Sequence, residues 1–278
     1  MNRVPFSPAR VGLIAGNTLL EAARQKLFNF LLLLALALVA GVQGFRDFNF
    51  GAPELKFLAD FGFGAMAFFG SALTIVATAQ LFFSEVEQRT ALTLLAKPVW
   101  RAEFMLGKFF GIVAVVAVFC AALGALLAGV LWMRESALLR ELPEAFAQGG
   151  RVDYRAFAAA ALLQWLKFAV LAAFTLLVAS FSQTQLYTVV TGFFVLVICH
   201  LQYLAHDAYG RAGSLAGRAL AALIGLMFPN FQLFNLADEL TAAAAPPWSR
   251  VAGVSLYAFG YIAAACALAI YSFRKREI

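Results

Sequence analysis

The chain has 278 residues, 63% of them apolar and 13% charged, against roughly 45–50% and about 25% in an ordinary soluble domain. That excess of apolar residues, with a mean hydropathy of +0.83, excludes a soluble enzyme and a disordered chain, which needs low hydrophobicity. The formal charge of +6 arises from 21 Lys and Arg against 15 Asp and Glu, and its meaning depends on where along the chain it sits.

Residues 10–26 are predicted to form an amphipathic helix. Asn17, Glu21, Arg24 and Gln25 fall on one face at helical spacing, and Leu13, Leu20, Ala23 and Leu27 on the other. A basic amphipathic helix abutting a span lies along the membrane interface; the alternative is a plain extension of the first span. The expected spans follow, because about 20 mostly apolar residues cross a bilayer as a helix. Six such runs occur, at about 27–45, 61–83, 109–133, 156–181, 186–204 and 251–273. The 26 residues ahead of the first are too many for the ordinary leading region of a signal peptide. The fold class expected is an all-α integral membrane protein, one transmembrane domain over residues 1–278.

The connections differ in character. Segment 84–108 is charged, 134–155 is a polar loop with Pro143, Gly149 and Gly150, and 182–185 is a short turn. Between 205 and 250 a ten-residue apolar run, Ala219 to Phe228, stops at Pro229. It is too short to span and suits a re-entrant hairpin over 219–241, dipping into the outer leaflet. Arg24 and Lys26 precede the first span and Arg274, Lys275 and Arg276 follow the last, which places both termini on the cytoplasmic side. With that orientation the inner segments carry 11 basic and 5 acidic residues, and the outer ones 9 and 10. The surplus marks the inner face and anionic lipid, so no nucleic-acid partner is expected.

Several chemistries lack their residues. No Gly-x-x-x-x-Gly-Lys-Ser/Thr loop occurs, since Gly107–Lys108 is followed by Phe109, so this chain is expected not to hold ATP. Cys120, Cys199 and Cys266 lie far apart in apolar runs, and His200 and His206 have no acidic or cysteine cluster nearby, so no metal site is expected. The spans hold no Asp or Glu away from their ends, which argues against a proton-coupled carrier, and no catalytic residue is assigned. Lys167, one turn from Gln164, is the single charge within a span. Two readings stand: a polar contact lining a pathway or a subunit interface, or a lysine that snorkels to the outer headgroups.

The most specific stretch runs from Phe83 to Gly111. Glu85, Glu87 and Arg89 leave the membrane, Thr90 to Ala96 is apolar every three to four residues, and Pro98 breaks that short helix. Arg101 and Glu103 begin the next one, and Gly107 and Gly111, four apart, permit close packing at the base of the third span. The product is a charged elbow whose apolar face wants a partner.

On these residues the chain resembles the ABC-2 family of ABC transporter permeases, and within it the subgroup involved in multicopper-enzyme maturation, including the permease of the nitrous-oxide reductase maturation system. The Asn-Thr-x-x-Glu-Ala element before the first span is matched by Asn17, Thr18, Glu21 and Ala22. Glu-x-Glu-x-Arg-Thr followed by Leu-Leu-x-Lys-Pro-Val is matched by Glu85, Glu87, Arg89, Thr90, Leu94, Leu95, Lys97, Pro98 and Val99. Arg-x-Glu-Phe-x-x-Gly-Lys-x-x-Gly is matched by Arg101, Glu103, Phe104, Gly107, Lys108 and Gly111.

The resemblance implies a permease subunit paired with a second copy or a homologous permease in the bacterial cytoplasmic membrane. Separate ATPase subunits, which hold the ATP and Mg, dock on the cytoplasmic face. Segment 84–108 is then the coupling elbow, with Glu85, Glu87, Arg89, Thr90, Leu94, Lys97, Pro98 and Arg101 as contacts. Helix 10–26 is the interfacial elbow, with Asn17, Glu21 and Arg24. ATP-driven export of an unidentified substrate is the function this implies. Its rivals are a complex that transmits force to an outer partner without transport, and a stand-alone carrier or intramembrane enzyme.

Overall fold

The computed structural model describes residues 6–42, 44, 54–87, 100–141, 151–211, 215–236, 240 and 248–274. It is an all-α integral membrane protein, with no strand among the described residues. Its helices are α1 (Pro8–Ala23), α2 (Lys26–Gly41), α3 (Glu54–Glu87), α4 (Arg101–Glu141), α5 (Tyr154–Phe181), α6 (Gln185–Arg211), α7 (Leu215–Met227) and α8 (Trp248–Arg274). Five of them are long and apolar enough to cross a membrane, and the bent pair α1–α2 supplies a sixth candidate.

Proline at the first position of α1 starts that helix without losing a hydrogen bond. The turn between α1 and α2 is sharp: Gln25 is extended and the two axes differ by 67°. Asn29 Nδ2 donates to the Ala23 carbonyl at 3.3 Å, which satisfies one of the orphan acceptors at that helix end. α1 is therefore a separate helix, not a straight continuation of α2.

α3 and α5 form the interior, with 67% and 72% of their most apolar stretch buried, against 28% for α6 and α8. Leu186, Val190, Phe194, Val197 and Leu201 of α6 stand exposed on its outer side, the surface a bilayer covers. Close approach in the interior depends on small residues. A Cβ on Gly70 would collide with the ring of Phe168, and one on Gly192 would stand 2.8 Å from Ile75 Cγ2. Buried hydroxyls are satisfied within their own helices: Thr74 donates to the Gly70 carbonyl, Thr78 to Thr74 and Thr175 to Leu171.

Several elements run past their expected limits. α4 has 41 residues, a length of about 60 Å, twice the roughly 30 Å hydrocarbon thickness. Its last eight residues, Arg134 to Glu141, were expected in a polar loop. They stay helical because RESALLRE contains no Gly or Pro, and two of its charged residues, Arg134 and Glu135, find partners. Glu54 receives Arg134 at 2.7 Å, and Glu135 accepts from the Val152 N–H and the Tyr154 hydroxyl. α3 starts seven residues ahead of the expected 61, and α6 runs seven past 204.

The expected helix–break–helix at 219–241 is α7, a break at Phe228 to Asn230, and a single 3-10 turn, Phe231–Phe234. The second limb is shorter than a helical hairpin needs. Two tyrosines of α8 hold the break: Tyr257 accepts the Asn230 N–H at 2.9 Å and Tyr261 donates to the Leu226 carbonyl at 3.0 Å.

Candidate functional site

The expected site residues converge on one end of the bundle, where α1, the end of α3, the start of α4 and the end of α8 meet. α4 begins at Arg101, so Glu103 is its third residue. From there one carboxylate oxygen reaches back to the Trp100 N–H at 3.0 Å, the acidic half of a capping box. The other oxygen accepts the Ser7 N–H and Arg10 Nη2, both at 2.7 Å. The Glu103 side chain is 0% exposed and Arg10 is 25% exposed. A single carboxylate thus starts α4, starts α1, and pairs with a guanidinium, where an N-terminal acid also meets the positive end of the helix dipole.

Beneath that contact α1 lies directly on α4. Glu103, Gly107 and Gly111 are spaced four apart and form one stripe. A Cβ at Gly107 would stand 2.6 Å from Ile14 Cβ, and one at Gly111 would stand 2.5 Å from Thr18 Cβ and 2.9 Å from the Ala15 carbonyl oxygen. The glycines are the floor on which α1 rests. A second ionic tie closes the other side. Lys108 Nζ, its side chain 0% exposed, is 3.7 Å from Glu21 Oε2, and Glu21 Oε1 accepts the Ser84 hydroxyl of α3 at 2.9 Å.

A third tie brings in α8. Arg101 Nη1 donates to the carbonyls of Phe273 and Arg274 at 3.0 and 2.8 Å, the last turn of a helix whose carbonyls otherwise lack partners. The rings of Phe82, Phe104 and Phe273 cluster behind it, with centroids 5.8–6.4 Å apart. Arg101→Ala is expected to fray the last turn of α8, at a cost of about 1–2 kcal/mol. Hydrogen exchange checks it: faster exchange at residues 270–274, with α5 unchanged and partial rescue by Arg101→Lys.

The intramembrane pair lies elsewhere, in the half of the bundle away from α1. Gln164 and Lys167 of α5 are 6% and 7% exposed and line a cavity of about 390 Å³ with Asp60, His200, Gln232 and Asn235. Lys167 is buried in the bundle, not extended to its surface.

The sequence model of one family, described as ABC-2 family transporter protein, matches residues 6–278. The chain belongs to the ABC-2 transporter family. A search of the curated proteins returned no match.

In this ABC-2 transporter the structure places the expected residues unevenly. Glu21 and Arg101 are at the junction just described. Asn17 is exposed on α1, and Arg24 is exposed just past its end. Glu85 and Glu87 fall on the last turn of α3, and their side chains, like the whole of Arg89, Thr90, Leu94, Lys97 and Pro98, lie outside the described residues. α1 packs on the protein through Val11, Thr18 and Ala22, outside the two faces read from the sequence, while Leu13 and Leu20 of the apolar face are 74% and 59% exposed. Arg10 and Ser84 had no assigned role, and Glu103 and Lys108 were read only as part of the helix start and of the family motif. A signal existed for the latter two, charges at the third and eighth positions of α4 ahead of its long apolar stretch. Ser7 and Arg10 carried none.

Proposed function

We propose that the chain is the permease subunit of an ABC transporter, driven by separate ATPase subunits that bind the ATP and Mg. The α1 end is its cytoplasmic end in a bacterial inner membrane, segment 84–108 is the coupling elbow, and a second copy or a homologous permease completes the membrane unit. Export of a substrate is the direction we assign. The motif over residues 85–111 is the ground on which we assign it to the multicopper-enzyme-maturation permeases.

One observation carries this reading. α3 runs into the proposed elbow at Glu87 and α4 leaves it at Arg101, and both helices are tied at that end to α1 and α8 by Glu103, Lys108–Glu21–Ser84 and Arg101. A push on the segment between them is therefore delivered to four helices at once, because packed, hydrogen-bonded elements move as units. The family match supports the partner's identity: ABC-2 membrane proteins work with ABC ATPases. The test is affinity capture of the full-length chain from its native membrane, with the co-purifying proteins searched for an ABC ATPase. Recovery of a stable complex is the expected result, and an ATPase that never associates overturns it.

A second reading, force transmission without transport, is favoured by the length of α4. One unbroken helix joins the α1 end to Arg134 and Glu135, which hold Glu54 and Val152 at the opposite end. Vesicles containing the complex that hydrolyse ATP while moving no solute would select this reading.

A further inference from the structure

The cavity beside Lys167 has a chemistry that the coupling role leaves unused. Its walls come from four places in the chain: Asp60 from α3, Gln164 and Lys167 from α5, His200 from α6, and Gln232 and Asn235 from the turn that follows α7. Gln164 and Lys167 are three residues apart and so share a face of α5. Gln164 Nε2 is buried and makes no hydrogen bond. Among the described residues Lys167 has no carboxylate partner; its ammonium stands 5.9 Å from the Phe168 ring. A buried amide donor without an acceptor costs about 1–3 kcal/mol, and a buried ammonium without a counter-charge costs more. Polar side chains kept at that cost within a membrane mark a ligand position.

The remaining polar walls narrow the ligand. His200 Nδ1 donates to the Leu196 carbonyl at 3.0 Å, so that nitrogen is occupied. Asp60, the carboxylate of the wall, is already engaged, so what the Lys167 ammonium and the orphaned Gln164 amide share is the want of an oxygen acceptor with negative charge. The volume of about 390 Å³ suits a small solute or a lipid headgroup. It is too small for a folded domain.

We infer that this cavity binds an oxyanion group, a phosphate or a carboxylate, held between Lys167 Nζ and Gln164 Nε2. Lys167 supplies a point charge and Gln164 a directed hydrogen bond. The group arrives either on a phospholipid or on a free solute. The Gln232 and Asn235 wall belongs to the turn after α7, so an occupied cavity connects α5 to the break held by Tyr257 and Tyr261. This goes beyond the ATPase-coupling reading and stands without it, because binding is measured on the permease chain alone.

The experiment uses the full-length protein purified in a neutral detergent, with three probes: inorganic phosphate, succinate, and phosphatidylglycerol with phosphatidylcholine as its uncharged-net reference. Thermal stability is followed against each small anion, and native mass spectrometry counts retained lipid. The expected result is saturable stabilisation or lipid retention with at least one anionic probe. Lys167→Met and Gln164→Leu should each weaken it by about tenfold or more, and Lys167→Arg should retain most of it. Gln164→Glu serves as a second variant of unchanged size that repels the anion. A response to phosphate or succinate alone identifies a free solute; phosphatidylglycerol alone identifies a lipid. No response of the wild-type protein to any probe, or equal responses in wild type, Lys167→Met and Gln164→Glu, overturns the inference.

Discussion

Glu103→Ala is expected to release α1 from α4. The substitution removes the acceptor for the Ser7 N–H, the Trp100 N–H and Arg10 at once. Arg10 is a quarter exposed, so its stranded charge can turn to water, and the loss is smaller than for a fully buried ion pair. We expect about 2–4 kcal/mol. Glu103→Gln keeps an acceptor oxygen without the charge and is expected to lose about half of that. Trypsin cleavage at Arg24 and the thermal midpoint of the purified protein together report the change. Cleavage should rise strongly in the alanine variant and modestly in the glutamine variant. Resistance equal to wild type in both would remove Glu103 from its place at the centre of the junction.

A second large effect is expected at Gly111, where the same substitution in the same helix should have opposite signs at two sites. The Cβ of Gly111→Ala would stand 2.5 Å from Thr18 Cβ and 2.9 Å from the Ala15 carbonyl oxygen, whereas nothing lies within 4 Å of a Cβ at Gly124. The Ala15 contact is backbone, so α1 itself must shift, an overpacking cost of about 1–3 kcal/mol. Gly124→Ala meets open space and gains helix propensity, up to about 1 kcal/mol. Thermal midpoints should fall for the first and hold or rise for the second. Gly111→Val is expected to be worse than alanine, because its branches enter the Thr18 site.

The two predictions concern one mechanical property. Glycines bring α1 into backbone contact with α4, and two buried charges, Glu103 and Lys108, lock it there from either side.

How much of this was legible in the sequence varies by the kind of signal. Five of the six spans were, because runs of about 20 apolar residues have few alternatives in water or lipid; the first falls on α2, 16 residues long, which is a candidate only together with α1. The length of α4 was not. Arg134 to Glu141 is polar and reads as a loop, yet it has no breaker, and its charges find Glu54 and the Val152 N–H only after folding. The break after α7 was legible from Pro229, but its second limb is a single 3-10 turn, FQLF, with Phe231 and Phe234 buried where the turn lies against α5 and α6. The packing face of α1 was hidden for a different reason. Ala15, Thr18 and Ala22 are small, and hydropathy periodicity favours Leu13 and Leu20, which face outward. Gln164 and Lys167 were visible as polar residues in an apolar span. The cavity they line was not, since its other polar walls arrive from three further elements. The elbow motif was the strongest sequence signal, and much of it, Arg89 to Pro98, lies outside the described residues.

Drive by an ATPase through the segment between α3 and α4 remains the proposal on which the function rests. The most direct measurement is the ATP hydrolysis rate and composition of the captured complex in vesicles, for wild type and for the double variant Glu87→Lys with Arg89→Glu. Reversing two contact charges at such an interface is expected to cost about tenfold in stimulated rate, or to lose the ATPase altogether, while the variant chain stays folded with an unchanged thermal midpoint. A double variant that retains its ATPase and hydrolyses ATP at the wild-type rate would contradict the account.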